Sequence, residues 1–372
     1  MPAGPVNRTL LESYYQNPGQ IYDDTMTEGA YGVLADQIDQ NYYQLSSLIN
    51  SGVLSPYLAN MNAQGFMNSN FDIWQRGDSF TGTNIYTADR WVIGNGGGTT
   101  TVTKVSVTPG DAFSPYKYFL RFSQTSAGTS SPTLAQRIES VRTYAGMTIS
   151  VRARIRSVGA GPYTVGVFAI QYFGTGGSPS SAVNTHIGDI VVTNDLQDLV
   201  VSATLPTVVG KTIGTDRNDY LAIQFNMPSN FIFDMDFAYV QVNIGESALP
   251  YQPRSIGEEL LLCQRFYEKS YDLSTKPGTA VSLAGSDMGG ALDTASLTFS
   301  TPFKVRKRTS PTIQVYADDG TAGAIRNVST SSNVTSAVIG QYNEKSFRVF
   351  FNTSVLTAGN LVGYHWTADA EL

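Results

Sequence analysis

The stretch Phe231-Ile-Phe-Asp-Met-Asp-Phe-Ala-Tyr-Val-Gln-Val-Asn-Ile244 decides the fold of this chain. From 231 to 239 the large apolar residues fall on odd positions, Phe231, Phe233, Met235, Phe237 and Tyr239, with Asp234 and Asp236 between them. That is the period of a half-buried strand. The phase then inverts, and Ala238, Val240, Val242 and Ile244 put the apolar set on even positions. A β-bulge near 237 to 240, or a strand leaving one sheet for another, accounts for the flip. Pro250 and Pro253, which have no N–H for a ladder, end the strand. Ser255 followed by Glu258 forms a capping box that opens a helix running to 269, with 259 to 269 suiting about three turns.

Upstream, nine runs between 65 and 246 have strand character: 90 to 93, 99 to 107, 118 to 124, 133 to 139, 147 to 156, 164 to 172, 187 to 192, 199 to 205 and 220 to 225. In one of them Val151, Ala153 and Ile155 form a core-facing row that alternates with a solvated row of Arg152, Arg154 and Arg156. Many short strands joined by glycine-rich loops, at 94 to 98 and 174 to 177, imply a β-sandwich. Downstream of the helix, strands at 296 to 304, 312 to 317, 336 to 341, 346 to 352 and 361 to 368 make a further, smaller β-domain.

At the N-terminal side, residues 1 to 26 hold Pro2, Pro5, Pro18 and Gly19 with no sustained period, as in an extended arm. From 27 to 50, Tyr31, Leu34, Ile38, Asn41, Leu45 and Leu48 recur at alternating spacings of three and four, the seam of a coiled coil. Asn41 is the kind of polar seam residue that fixes register and strand number. An amphipathic helix packed on its own chain would show the same spacing. The expected order is therefore arm (1 to 26), coiled-coil helix and connector (27 to 63), β-sandwich (64 to 254), then a short helix with a C-terminal β-sandwich (255 to 372).

Composition narrows the function. Charged residues are 15% of 372, the net charge is −6 and the pI is near 5.0, which argues against nucleic acid or an anionic membrane as partner. No apolar run reaches bilayer length, so no membrane insertion is expected. The single cysteine, Cys263, sits among leucines and reads as a buried small hydrophobe. His186 and His365 lie far apart, no nucleophile elbow is present, and one cysteine with two distant histidines offers no zinc spacing. No catalytic residue, metal site or cofactor is expected. Asp234 with Asp236, and Asp318 with Asp319, are explained by strand-edge solvation and turn propensity. His365 reads as a surface or interface residue, and the basic run 304 to 308 as a solvated tip. Tyrosine, at 21 residues, supplies flat faces and hydroxyls suited to sugars. Tyr172, Phe173, Tyr316 and Tyr342, beside glycine-rich or polar turns, are the candidate glycan contacts, although core or subunit interface would also explain each.

Three stretches carry a resemblance: 65 to 77 (Gly65 to Gly77, with Trp74-Gln-Arg-Gly) together with Thr87-Ala-Asp-Arg-Trp91; 233 to 269; and the ending Gly363-Tyr-His-Trp-Thr-Ala-Asp-Ala-Glu-Leu372. Over residues 65 to 372 the chain resembles bacteriophage tail-fibre and related virion proteins, in which a carbohydrate-binding-module-like jelly roll passes into a C-terminal fibre tip domain. The resemblance places Arg76-Gly77-Asp78 in a structural motif, with Trp74 and Trp91 in the core. It implies a homotrimer located on the virion, joined to a tail or capsid protein through the N-terminal arm and binding a host surface polysaccharide. A head-decorating fibre and a polysaccharide-depolymerising tail spike are the alternatives it leaves open.

Overall fold

In this computed structural model residues 65 to 372 are described, save 115, 336, 352 and 353, together with Gln40, Asn41 and Gln44, which are helical and exposed. The chain divides into two compact units, Met1–Ala63 and Gln64–Leu372. The arm and five of the six seam positions (Tyr31, Leu34, Ile38, Leu45, Leu48) lie outside the described residues.

The second unit begins with twelve strands: β1 (Ser79–Thr81), β2 (Ile85–Tyr86), β3 (Trp91–Gly94), β4 (Thr99–Ser106), β5 (Tyr118–Ser126), β6 (Thr133–Glu139), β7 (Thr148–Val158), β8 (Tyr163–Tyr172), β9 (Val183–Val192), β10 (Gln197–Thr204), β11 (Tyr220–Asn226) and β12 (Phe233–Ile244). They form two antiparallel six-stranded sheets, ordered β1-β4-β5-β12-β7-β10 and β2-β3-β6-β11-β8-β9. The sheets face each other across one apolar core.

β12 shows why the sequence folds this way. Phe233, Met235 and Phe237 enter the core, the register against β7 slips between Phe237 and Tyr239, and Val240 and Val242 then enter the same core. The bulge keeps the strand in one sheet and swaps which parity faces inward. After it, Tyr239, Gln241 and Asn243 face outward, and the two amides hold the proline-containing linker. Gln241 donates to Leu249 O at 3.1 Å and accepts from Gln252 N at 3.0 Å, while Asn243 donates to Ser247 O at 3.2 Å.

The linker leads into α1 (Ile256–Gln264), where Ser255 caps by accepting from Glu258 N. Expected to reach 269, the helix stops at Gln264, and β13 (Tyr267–Lys269) follows. Pairing decides the boundary: Tyr267, Glu268 and Lys269 are all buried against Asp369, Ala368 and Thr367, which a further helical turn would forbid. Then come β14 (Asp287–Gly290), β15 (Thr301–Pro302), β16 (Thr312–Tyr316), β17 (Ile325–Asn327), β18 (Ser332–Val334), β19 (Ala337–Gly340), β20 (Ser346–Phe351) and β21 (Leu361–Asp369). The strand expected over 296 to 304 is reduced to β15 and isolated bridges at Ser296 and Leu297. β21 is the hub, with β13 and β14 on one edge and β16 and β17 on the other. A three-stranded sheet, β15-β20-β19, shares its core through Phe347, Val349, Tyr364 and Trp366. The described chain is mainly β, built as jelly-roll-like sandwich sheets with one short helix.

Candidate functional site

The two outer faces of the large sandwich differ. On the first sheet, Phe113 stacks on Phe119 at 4.2 Å and Tyr239 on Tyr251 at 4.1 Å, so the β4–β5 loop and the linker cover the strands. Beneath them Asp236 is fully buried, held by Arg121 at 2.7 and 3.0 Å and by Arg156 at 3.2 Å. Strand-edge solvation is thus the wrong explanation for Asp236, because β12 lies inside the sheet between β5 and β7 and two arginines replace water at the carboxylate. Of the arginine row, Arg152 and Arg154 share Asp198 at 3.5 and 3.4 Å. Tyr239 donates to the same carboxylate at 2.7 Å, and burial, then Asp198, pushes its phenol up to about 12.

The second sheet is open. Its outward residues form rows fixed by strand register: Tyr172 on β8 beside Tyr220 on β11; Asn184, Ile170, Ala222 and Arg137; His186, Phe168, Gln224, Ala135 and Val92; then Gly166, Asn226, Thr133 and Gly94. Small residues occupy the middle, so a depression of about 230 Å³ crosses β3, β6, β11 and β8. Four strands span three spacings, roughly 14 Å at about 4.8 Å each. Tyr172 and Tyr220 form a wall, ring centroids 4.8 Å apart and 30° between planes. The Arg137 guanidinium lies 5.2 Å from the Tyr220 ring and donates to Asn84 Oδ1 at 3.2 Å. Gln224 donates to Asn226 at 2.6 Å, and at the far edge His186 lies 4.9 Å from Phe168 and 2.8 Å from Asp189. Aromatic faces beside an apolar floor, with a guanidinium and amides at the rim, suit a ligand that has C–H faces and many hydroxyls.

Of the four expected contacts, Tyr172 stands on this open face. Phe173, one residue on, points inward and is 1% exposed, with no ring face to offer. Tyr316 is half-buried, edge-on to Tyr271 at 5.9 Å. Tyr342 is 50% exposed in the turn between β19 and β20, remote in sequence from the groove strands. Sequence reasoning missed Tyr220, Arg137, Gln224 and Phe168. The available signal was the outward alternation of Tyr220, Ala222 and Gln224, with small residues at the centre of the face.

Other chemistry-bearing residues are structural. His365 is buried, not at the surface: it stacks on Tyr271 at 4.4 Å, with Nδ1 3.1 Å from Ser270 Oγ and Nε2 3.0 Å from Ser282 O. The run at 304 to 308 is not a solvated tip, since Lys307 is fully buried against Glu268 at 2.5 Å, and Arg308 donates to Ala370 O and Glu371 O. Burial holds the Lys307 ammonium below its ordinary range. Cys263 is buried, which pushes its thiol well up. Trp74 and Trp91 are core, and Arg76 of the Arg-Gly-Asp tripeptide lies 3.6 Å over the Tyr267 ring while pairing Asp369 and Glu371. Among the described residues no three His, Cys, Asp or Glu side chains gather in a way that could hold a metal ion, and no helix is long and apolar enough to cross a membrane.

No family model matches the chain, and no curated protein matches it in sequence. Solved structures similar to it include carbohydrate-binding modules and a phage tailspike domain. The CBM22-1 xylan-binding domain of Xyn10C from Paenibacillus barcinonensis is 12% identical over 47% of this chain and 99% of its own, with a TM-score of 0.31. A putative sugar binding protein from Bacteroides thetaiotaomicron is 13% identical over 49% and 100%, TM-score 0.31. The enzymatically active domain of tailspike protein 4 from bacteriophage CBA120 is 14% identical over 49% of this chain and 21% of its own, TM-score 0.29.

Proposed function

We propose that this chain is a non-enzymatic fibre subunit of a bacteriophage particle, and that the open face of its second sheet takes an internal stretch of a neutral, linear, host-surface glycan. The observation that carries the reading is the groove across β3, β6, β11 and β8, with the Tyr172–Tyr220 wall, the alanine floor and the Arg137 and Gln224 rim. The depression crosses four strands, which suits a chain lying across them. Each site binds weakly, and copies in an oligomer multiply the affinity.

The particle context rests on the sequence resemblance over 65 to 372, and the trimer on the seam from Tyr31 to Leu48. The N-terminal arm joins the tail or the capsid, and labelled protein imaged on intact particles separates these two sites. A glycan array probed with the full chain tests the binding claim: retention on neutral linear glycans is expected, and a blank array defeats it. Incubation with a retained polysaccharide should leave its viscosity unchanged, whereas a fall would make the chain a depolymerase. A mass measurement in solution should give three copies, and Ile38→Asp should dissociate them. A wild-type monomer at micromolar concentration contradicts the trimer.

A further inference from the structure

Four arginines from separate elements converge on residues 369 to 372. Arg76 pairs Asp369 at 3.1 Å and Glu371 at 3.2 Å, Arg90 pairs Glu371, Arg308 donates to Ala370 O at 2.9 Å and Glu371 O at 3.0 Å, and Arg137 donates to Leu372 O. Tyr86 also donates to Leu372 O, at 2.8 Å. Arg137 is at the same time the cation of the groove. Its backbone carbonyl accepts from Arg90, whose conformation at φ 73° is held by Glu371 and by stacking 3.4 Å over Phe266. The β6–β11 ladder holds the Arg137 main chain, while the segment that follows β21 holds its guanidinium directly through Leu372 O, alongside Asn84, and touches its carbonyl through Arg90.

A guanidinium on a flexible stem that must be ordered by its ligand costs affinity, and one already held does not. The geometry points to residues 371 and 372, with Tyr86, as positioning residues for the glycan groove: they hold Arg137 in its binding orientation, so that seating of the C-terminal segment and occupancy of the groove reinforce each other. This rests on the glycan reading. By linkage the effect is reciprocal, and a bound sugar must tighten the segment by the same factor that the segment tightens sugar binding.

The test uses the full chain with cellohexaose, xylohexaose and chitohexaose as neutral linear probes. Calorimetry is run on wild type, Tyr86→Phe and Glu371→Gln. Tyr86→Phe removes one hydroxyl and keeps the ring that Arg76 faces at 5.4 Å, so it preserves the fold if Glu371→Gln does not. Kd should rise about 3- to 10-fold in Tyr86→Phe, the span of ordering one long side chain. Hydrogen exchange at the Ala370 and Glu371 amides should slow when the probe binds wild type, which a merely structural role for the segment would not produce. Binding by wild type with unchanged Kd in the variants and unchanged exchange overturns the coupling and leaves the glycan reading standing. Failure of wild type to bind any probe overturns the glycan reading, and the coupling with it.

Discussion

The sandwich presents two outer faces of the same construction, six antiparallel strands each, and they end in opposite states. The face of the first sheet is sealed by the chain itself: Phe113, Tyr116 and Tyr251 cover Phe119, Ala238 and Tyr239, and Asp236 is neutralised by Arg121 and Arg156 under that lid. The face of the second sheet keeps rings, amides and one guanidinium around a floor of alanine and glycine. Polar groups on the sealed face face one another. Those on the open face surround the depression, where Phe168, Tyr172 and Tyr220 are half-buried and Arg137 is held at one end by Leu372 O. The contrast teaches that β-sandwich construction does not itself make a binding face, and that the linker and the β4–β5 loop choose which sheet remains available.

The comparison can be broken most sharply on the sealed side. Asp236→Ala leaves Arg121 and Arg156, with side chains 31% and 28% exposed, without their shared carboxylate. Because both reach some water, the expected loss is roughly 3 kcal/mol, at the low end for breaking a buried pair, read as a fall in urea midpoint. The residual folded protein should bind glycan as before. On the open side the pattern inverts. Tyr220→Ala should cost under about 1 kcal/mol of stability yet weaken glycan binding at least about 10-fold, and Ala222→Phe, which fills the floor between Ile170 and Arg137, should abolish binding at a cost of about 1–3 kcal/mol, because Ala222 is buried. If either variant binds like wild type, the open face is not the site. A smaller effect returns to the sealed face, where Tyr239→Phe removes the bond to Asp198 and should cost about 1 kcal/mol with no change in affinity.

The smallest prediction concerns pH. Lys269 is buried beside the Leu273 and Thr275 carbonyls, and burial lowers its ammonium from 10.5 to about 8. A lysine whose folded value lies below its unfolded one favours the neutral form in the fold, so its full penalty is present below pH 8. The penalty is relieved as pH rises from about 8 toward 10.5. The difference in melting temperature between wild type and Lys269→Met should therefore shift in favour of wild type between pH 7 and 9.5. Parallel curves over that range would show that Lys269 does not titrate there.

Much of the sandwich was legible because its strands alternate. The phase flip between Phe237 and Ala238 gave the bulge, and 133 to 139 matched β6 residue for residue. What was not legible depended on pairing between distant segments. Tyr267 to Lys269 continues a helical pattern locally and becomes a strand only because Thr367 to Asp369 lies alongside. Lys307 looks like a surface charge until Glu268, 39 residues earlier, folds against it. The groove was hidden for the same reason. Arg137, Tyr172 and Ala222 come from β6, β8 and β11, and only their register makes them neighbours. Looking beside glycine-rich turns picked out Tyr172, which lies on the face of the groove beside Tyr220, and also drew in Phe173, whose inward parity buries it.

Hydroxyl-radical footprinting of the full chain, free and saturated with an array-positive glycan, tests the open face most directly. Oxidation of Tyr172, Tyr220 and Phe168 should fall several-fold on binding while Tyr342, exposed in the turn between β19 and β20, stays as reactive as before. Protection of Tyr342 with the three groove rings unchanged would contradict the account.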